Sequence, residues 1–246
     1  MLTKEDDILA LSKHTFAHGL KDGIPIGLGY LSVSFGFGIM AVNSGIPLLP
    51  TLLISITNLT SAGQVAGVSI IAAAGAMAEM ALTQLIINLR YALMSLSLSQ
   101  KLDSSFTLLH RLVGSFGITD EIFAVASSKD GVIGKNYLYG LITIPYIGWA
   151  LGTFLGAAAG GILPEGLRNC LGIAIYGMFL AIIIPPAKKE KGVLLAVIAA
   201  CVLSCLIRYL PFLSFITEGF SVIICAVAAA SLAAWLHPMK KEGDAE

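Results

Sequence analysis

Residues 58–67 read NLTSAGQVAG: two amides, two hydroxyls and two glycines in a chain that is otherwise strongly apolar. Glycine relaxes a helix, and short polar side chains compete for its backbone hydrogen bonds. The stretch follows the apolar run 48–57 and precedes another beginning at 65. Three readings are open. It is a polar loop between ordinary spans, it is polar glue between helices, or it is a junction where a helix is interrupted inside the bilayer. A helix interrupted there leaves unpaired amides that must be satisfied by protein or by a wet cavity. Asn58, Thr60, Ser61 and Gln64 supply the hydrogen-bonding groups, and Gly63 and Gly67 the backbone freedom. A helix starting near Ala62–Gln64 would aim its free N–H groups and positive dipole end at the break, a setting that attracts carboxylates.

The whole composition places this junction in a membrane. Of 246 residues, 57% are hydrophobic and 12% charged, and the mean hydropathy is +0.87. Soluble domains carry about 25% charged residues. Fifteen basic and fifteen acidic residues cancel, so no charge excess points to nucleic acid. Cys170, Cys201, Cys205 and Cys225 lie in apolar segments without a CxxC pair and read as packing residues. No metal or cofactor set, Walker loop, GxSxG or HExxH is present, so the chain reads as neither an enzyme nor an ATPase.

About 20 apolar residues cross a bilayer. Segments 26–44, 65–87, 136–163, 169–186, 192–210 and 214–236 meet that length, and 48–60 is apolar but short. Residues 88–100 extend the 65–87 helix or begin another. The expected fold is an all-α integral membrane protein with six or seven transmembrane helices, a discontinuous or re-entrant helix and an internal repeat. One transporter domain covers 1–246, with 1–23 an amphipathic interfacial helix and 101–135 a central polar loop containing helices. His14 and His18 then face the membrane surface. Basic residues mark cytoplasmic loops. If 48–60 enters and leaves on one side, Lys21, Lys101, Lys135, Lys188 and Lys240 all share a side, and both termini are cytoplasmic. The repeat rests on IPIGLGYLSVSFG at 24–36 and IPYIGWALGTFLG at 144–156, with a fainter echo of NLRYAL at 88–93 in LIRYLPF at 206–212.

Ionisable groups are costly in a membrane and usually face the protein interior. Glu79 is a candidate for a substrate ammonium or a proton, and Asn88 must find a partner. Asp120 and Glu121 are further coupling candidates; as helix neighbours their side chains splay by about 100° and do not share a proton. Arg208 and Glu218 are expected to form an ion pair or to contact lipid headgroups near a membrane edge.

Four blocks, GIPIGLGYLSVSFGFG at 23–38, SAGQ at 61–64, INLRYALMSLSLS at 87–99 and FGITDEIFAVA at 116–126, stand in an order and spacing that resembles the AzlC family of branched-chain amino acid exporters. The resemblance implies a bacterial cytoplasmic-membrane protein. It also implies that the chain acts with a small AzlD-type membrane protein to export valine, leucine, isoleucine and sometimes methionine. Val65, where the family tends to an aromatic, and Tyr91, where it tends to His, depart from the pattern in positions that bear on substrate. For a zwitterion with an apolar side chain, Asn58, Ser61, Gly63 and Gln64 would take the carboxylate. Glu79 or backbone carbonyls would take the ammonium, Asn88 an additional polar contact, and Tyr30, Phe35 and Met77 the side chain. A permease for another small organic solute and a non-transporting membrane subunit are the alternatives.

Overall fold

The structure is a computed structural model that describes residues 15–160, 164, 166, 177, 179–180, 183–213 and 215–237. It is helical, with long helices α1 (Phe16–Asn43), α4 (Met77–Ser99), α7 (Lys135–Ala159), α8 (Lys191–Tyr209) and α9 (Glu218–Leu236). Each of these five is long and apolar enough to cross a membrane. Between them lie the short helices α2 (Leu48–Thr57), α3 (Ser61–Ala72), α5 (Leu108–Phe116) and α6 (Asp120–Ser127). The chain forms two compact units: residues 1–65 with 87–175, and residues 66–86 with 176–246.

The first unit is organised on α1 and α7, which run parallel in direct backbone contact. Glycines permit it: a Cβ on Gly140, Gly148, Gly152 or Gly156 would fall well inside 3.0 Å of a carbonyl oxygen of α1. Facing positions are Gly27 with Gly148, Leu31 with Gly152 and Phe35 with Gly156, a constant 121 residues apart. The echoed segments 24–36 and 144–156 lie on the two helices of this pair, whose facing positions are offset by one residue from the 120-residue spacing of the echo. In a bilayer apolar burial adds little between helices, so close packing of this kind drives association.

The same pair settles the course of the chain. Asp22 Oδ2, near the start of α1, accepts from Tyr137 Oη at 2.7 Å and from Lys129 Nζ at 2.8 Å. The start of α1, the end of the central segment and the start of α7 thus share one side. α1 and α4, with 28 and 23 residues, are each long enough to cross a bilayer, whereas the ten-residue α2 and twelve-residue α3, about 15 and 18 Å long at 1.5 Å per residue, are each too short to cross one alone.

Three sequence expectations change. The stretch 65–87 is not one span: α3 ends at Ala72 and α4 begins at Met77. The turn is a Schellman closure, with Gly75 N donating to Ile70 O at 2.8 Å and Ala74 N to Ile71 O at 3.0 Å. Its left-handed position holds Ala74 at φ 52°, where glycine is usual. With no glycine at that position, the apolar run gave no sign of a stop. Residues 88–99 continue α4. Residues 16–23 are the first turns of α1, continuous with the span, because Gly19 and Gly23 already pack on α7; residues 1–14, His14 included, lie outside the described residues. Arg208 and Glu218 form no ion pair. The expected span 169–186 and Cys170 fall largely or wholly outside the described residues, and Cys201, Cys205 and Cys225 are free thiols.

The central segment is a packed body. Ile118, Ile122, Ala126 and Ile133 bury against Tyr137, Leu138 and Leu141 of α7. A short bridge closes it: Ile133 N donates to Lys101 O at 2.7 Å, and Asp103 N to Ile133 O at 3.1 Å.

Replacing Gly148 with Leu should lower stability by about 1–3 kcal/mol or prevent folding, since nothing flexible can give way. Gly29→Ala, where an added Cβ meets nothing within 4 Å, should be neutral or slightly stabilising. Thermal unfolding of the two detergent-purified variants separates them.

Candidate functional site

The helix interruption exists. α2 ends at Thr57, Asn58 is extended (φ −144°, ψ 92°), and α3 starts at Ser61. The orphaned backbone groups on both sides are partly met by the protein. Tyr146 Oη donates to Ile56 O at 2.8 Å, and Thr60 Oγ1 accepts from Gly63 N at 3.4 Å. The N–H groups of Ser61 and Ala62 take no partner among the described residues. In a helix such groups point back along the axis, here toward the break.

Gln64 acts as polar glue between helices, one of the readings the sequence left open. It is 1% exposed. Its Oε1 accepts from Trp149 Nε1 at 3.0 Å, and its Nε2 donates to Ser55 Oγ at 3.1 Å. Indole N–H only donates, so the amide orientation is fixed by chemistry. Ser55 Oγ in turn lies 2.7 Å from Thr153 Oγ1. This buried chain ties α2, α3 and α7 together across the break. Tyr30 is committed too. Its hydroxyl bonds Thr119 Oγ1 at 2.6 Å and the carboxylate of Glu121, and its ring meets Trp149 edge-on at 5.2 Å.

Beside the break is a cavity of about 180 Å³. Asn58, Asn88 and Tyr91 provide polar lining; Leu59, Phe116 and Ile118 provide apolar lining. At about 30 Å³ per water it matches a small solute, below the roughly 300–1,000 Å³ of drug-sized pockets. The Asn58 side chain has no hydrogen-bond partner among the described residues. The Arg90 guanidinium lies 5.0 Å from the Tyr91 ring centroid, donates to Tyr91 Oη at 3.2 Å and pairs with Asp120 at 2.8 Å. Asp120 and Glu121 thus splay to different partners, Arg90 and Tyr30, from the first turn of α6, where negative charge suits the dipole. Burial pushes the Asp120 carboxyl up from its ordinary value; Arg90 draws it down, and the charge of Glu121 pushes it up again.

Of the residues singled out from sequence, Asn58 and Asn88 meet at this cavity. Ser61 and Gly63 form the first turn of α3. Gln64 and Tyr30 are structural ties, Phe35 does not line the cavity, and Met77 is 84% exposed. Tyr91, Leu59, Phe116 and Ile118 were missed as lining because they converge only in three dimensions.

Glu79 belongs to the second unit and is 3% exposed. Its carboxylate accepts from Gly219 N at 2.8 Å and from the Thr217 hydroxyl, and so caps α9 in place of the Thr217 side chain. Gly219 is needed for this approach: a Cβ there would sit 2.6 Å from Glu79 Oε1 and 2.8 Å from Thr83 Oγ1. The Thr83 hydroxyl is buried without a partner among the described residues.

The family model described as AzlC protein matches residues 25–163, a span that covers the α1–α7 pair, the break and the cavity. The chain belongs to the AzlC family. It is 28% identical over 195 residues to the inner membrane protein YgaZ of Escherichia coli K12, covering 76% of this chain and 79% of that protein. An uncharacterized membrane protein of Archaeoglobus fulgidus is 31% identical over 182 residues, covering 73% of this chain and 80% of its own length. One from Helicobacter pylori 26695 is 25% identical over 154 residues, 60% and 67% of the two chains. No solved structure matches it. This AzlC-family chain is an all-helical, multi-pass protein of the inner-membrane type.

Gln64→Leu should cost the AzlC-family fold about 1–3 kcal/mol for each polar partner it strands, Trp149 and Ser55. The result should appear as a lower melting temperature. Loss of transport with unchanged melting would show instead that the amide serves the solute.

Proposed function

We propose that the chain exports branched-chain amino acids, valine, leucine and isoleucine with methionine as a further substrate, together with a small AzlD-type membrane protein. Membership of the AzlC family supports this reading. The observation that carries it is the two-sided cavity at the interrupted helix. An aliphatic amino acid has a charged end and an apolar end. The cavity sets Asn58 and Asn88 against Leu59, Phe116 and Ile118.

The carboxylate would lie at the break, near the α3 N-terminus and the positive field of Arg90, with Asn58 donating. Asn88 and Tyr91 would complete the polar contacts. The aliphatic side chain would lie on Leu59, Phe116 and Ile118. These groups replace the water that a zwitterion gives up on leaving solution, a cost that makes unaided crossing of lipid slow. Arg90 is held in place by Asp120 and stacked on Tyr91, so its charge is positioned before the solute arrives. No ATP-binding loop is visible in the sequence, so the driving force is an ion gradient or the solute's own.

Glu79 is the coupling candidate in this reading. Its carboxylate is held at the α9 N-terminus by Thr217 and Gly219, with Thr83 buried beside it. Protonation would weaken a charge-assisted cap and release α9, linking proton occupancy to helix position.

Radiolabelled leucine counterflow in proteoliposomes containing the chain and a co-expressed small membrane partner tests the substrate. Leucine, isoleucine and valine should exchange, whereas lysine and glutamate should not. Exchange of an unrelated solute alone would reject the assignment. Asn58→Ala and Asn88→Ala should each raise KM for leucine about tenfold, the loss of one hydrogen bond of about 1.4 kcal/mol. The melting temperature of Asn58→Ala should remain near wild type.

Glu79→Gln keeps an oxygen at the cap but cannot ionise. It should flatten the dependence of leucine efflux on external pH. An unaltered pH profile in this variant removes Glu79 from coupling.

A further inference from the structure

We propose that the groove between the end of α4 and α5 is a binding site for one anionic phospholipid; the inference needs no particular transported solute, although the groove shares Ser115 and Ile118 with the cavity beside the break. The first observation is the setting of α5. Leu108, Leu109, Leu112, Val113 and Phe116 form one face of this helix, and all five are exposed. The other face is fastened to α7: a Cβ on Gly114 would lie 3.3 Å from Leu138, and His110 Nδ1 is 2.8 Å from Tyr139 Oη. A nine-residue helix, about 13 Å long, cannot span a bilayer. It lies along the surface with its apolar face in the acyl region.

The second observation is the groove itself. It encloses about 360 Å³ and is lined largely by apolar side chains, Leu96, Leu98, Leu102 and Phe106 among them, together with His110 and Arg111. Water would find few partners on such walls. The adjoining face of α4 exposes Leu93 and Leu96, so the groove continues a surface made for hydrocarbon.

The third observation is charge. The other cations around this segment are engaged. Arg90 pairs with Asp120, Lys129 pairs with Asp22, and Lys101 donates to the carbonyls of Ser127 and Lys129. Arg111 has no hydrogen-bond or ion-pair partner among the described residues. Lys135 Nζ lies 3.4 Å from His110 Nε2 and faces no carboxylate within ion-pair range. Asp103, the nearby acid, is folded onto Ser105, accepting from its N–H at 3.2 Å and its hydroxyl at 2.7 Å. Two unneutralised cations thus accompany an apolar groove beside a surface helix. A ligand with an anionic head and an acyl tail satisfies both. Basic residues in the flanking loops assign this side to the cytoplasm, where anionic lipids reside.

The test uses the purified full-length protein in a neutral detergent, with thermal unfolding followed as lipid is added. Phosphatidylglycerol should raise the melting temperature well above the rise given by phosphatidylcholine of the same chains, and inorganic phosphate should have no effect. In Arg111→Gln/Lys135→Gln, changes at the surface, the phosphatidylcholine response should persist. The apparent phosphatidylglycerol affinity should fall roughly thirtyfold, the ratio for two interfacial cations. Ser95→Phe, which fills the groove, should reduce the response with the cations intact. Equal responses to the two lipids, an unchanged preference in the double variant, or an effect reproduced by phosphate overturns the proposal. So does loss of the preference in the complex with a small membrane partner that cross-links to the groove, because the occupant is then a protein helix.

Discussion

The close approach of α1 and α7 is the constraint on which the first unit depends. Two helices of 28 and 25 residues touch through backbone along most of their length because the intervening positions carry no side chain. Hydrocarbon surrounds a membrane helix as comfortably as another helix does, so dispersion at short range must hold the pair. Each glycine that brings the backbones together adds such contact. The pair also fixes what can surround it. Its parallel course places Asp22, Lys129 and Tyr137 in one cluster at one end.

An interrupted helix is expensive in lipid, and the protein meets much of that expense with side chains from α7. Tyr146 satisfies a carbonyl at the end of α2, while Trp149 and Thr153 bracket the Gln64–Ser55 bond. These three lie on one helix at spacings of three and four, hence on one face. The helix that packs by its glycines on one side therefore stabilises the break on another. What remains without a partner among the described residues is the first amides of α3 and the Asn58 side chain, which lines the cavity.

Much of the local chemistry was legible. Asn58, Thr60 and Gly63 announced a helix interruption because short polar residues and glycine have few uses in an apolar run. The paired proline–glycine segments announced two similar helices, which pack against each other one residue out of the register of the echo. Glu79 stood out as an intramembrane carboxylate. Its partner did not: Gly219 and Thr217 carry no charge, and their value is a free amide and a hydroxyl at a helix start. Gln64 misled in an instructive way. An amide near a helix start reads equally well as a ligand for solute or as a tie between helices, and only the neighbouring indole distinguishes them.

Sequence by itself determined that this chain lives in a membrane, where its helices run and where one must break, because hydropathy, backbone propensity and hydrogen-bonding capacity are properties of single residues and short windows. The stop after Ala72 escaped it, since Ala74 occupies a left-handed position without the glycine that normally marks one. Tertiary structure alone decided that α1 and α7 are parallel partners, that Gln64 faces Trp149, and that Leu59, Asn88 and Phe116 enclose one cavity. Those facts depend on distances between residues far apart in the chain, and in a bilayer such distances are set by close packing, which no single segment carries.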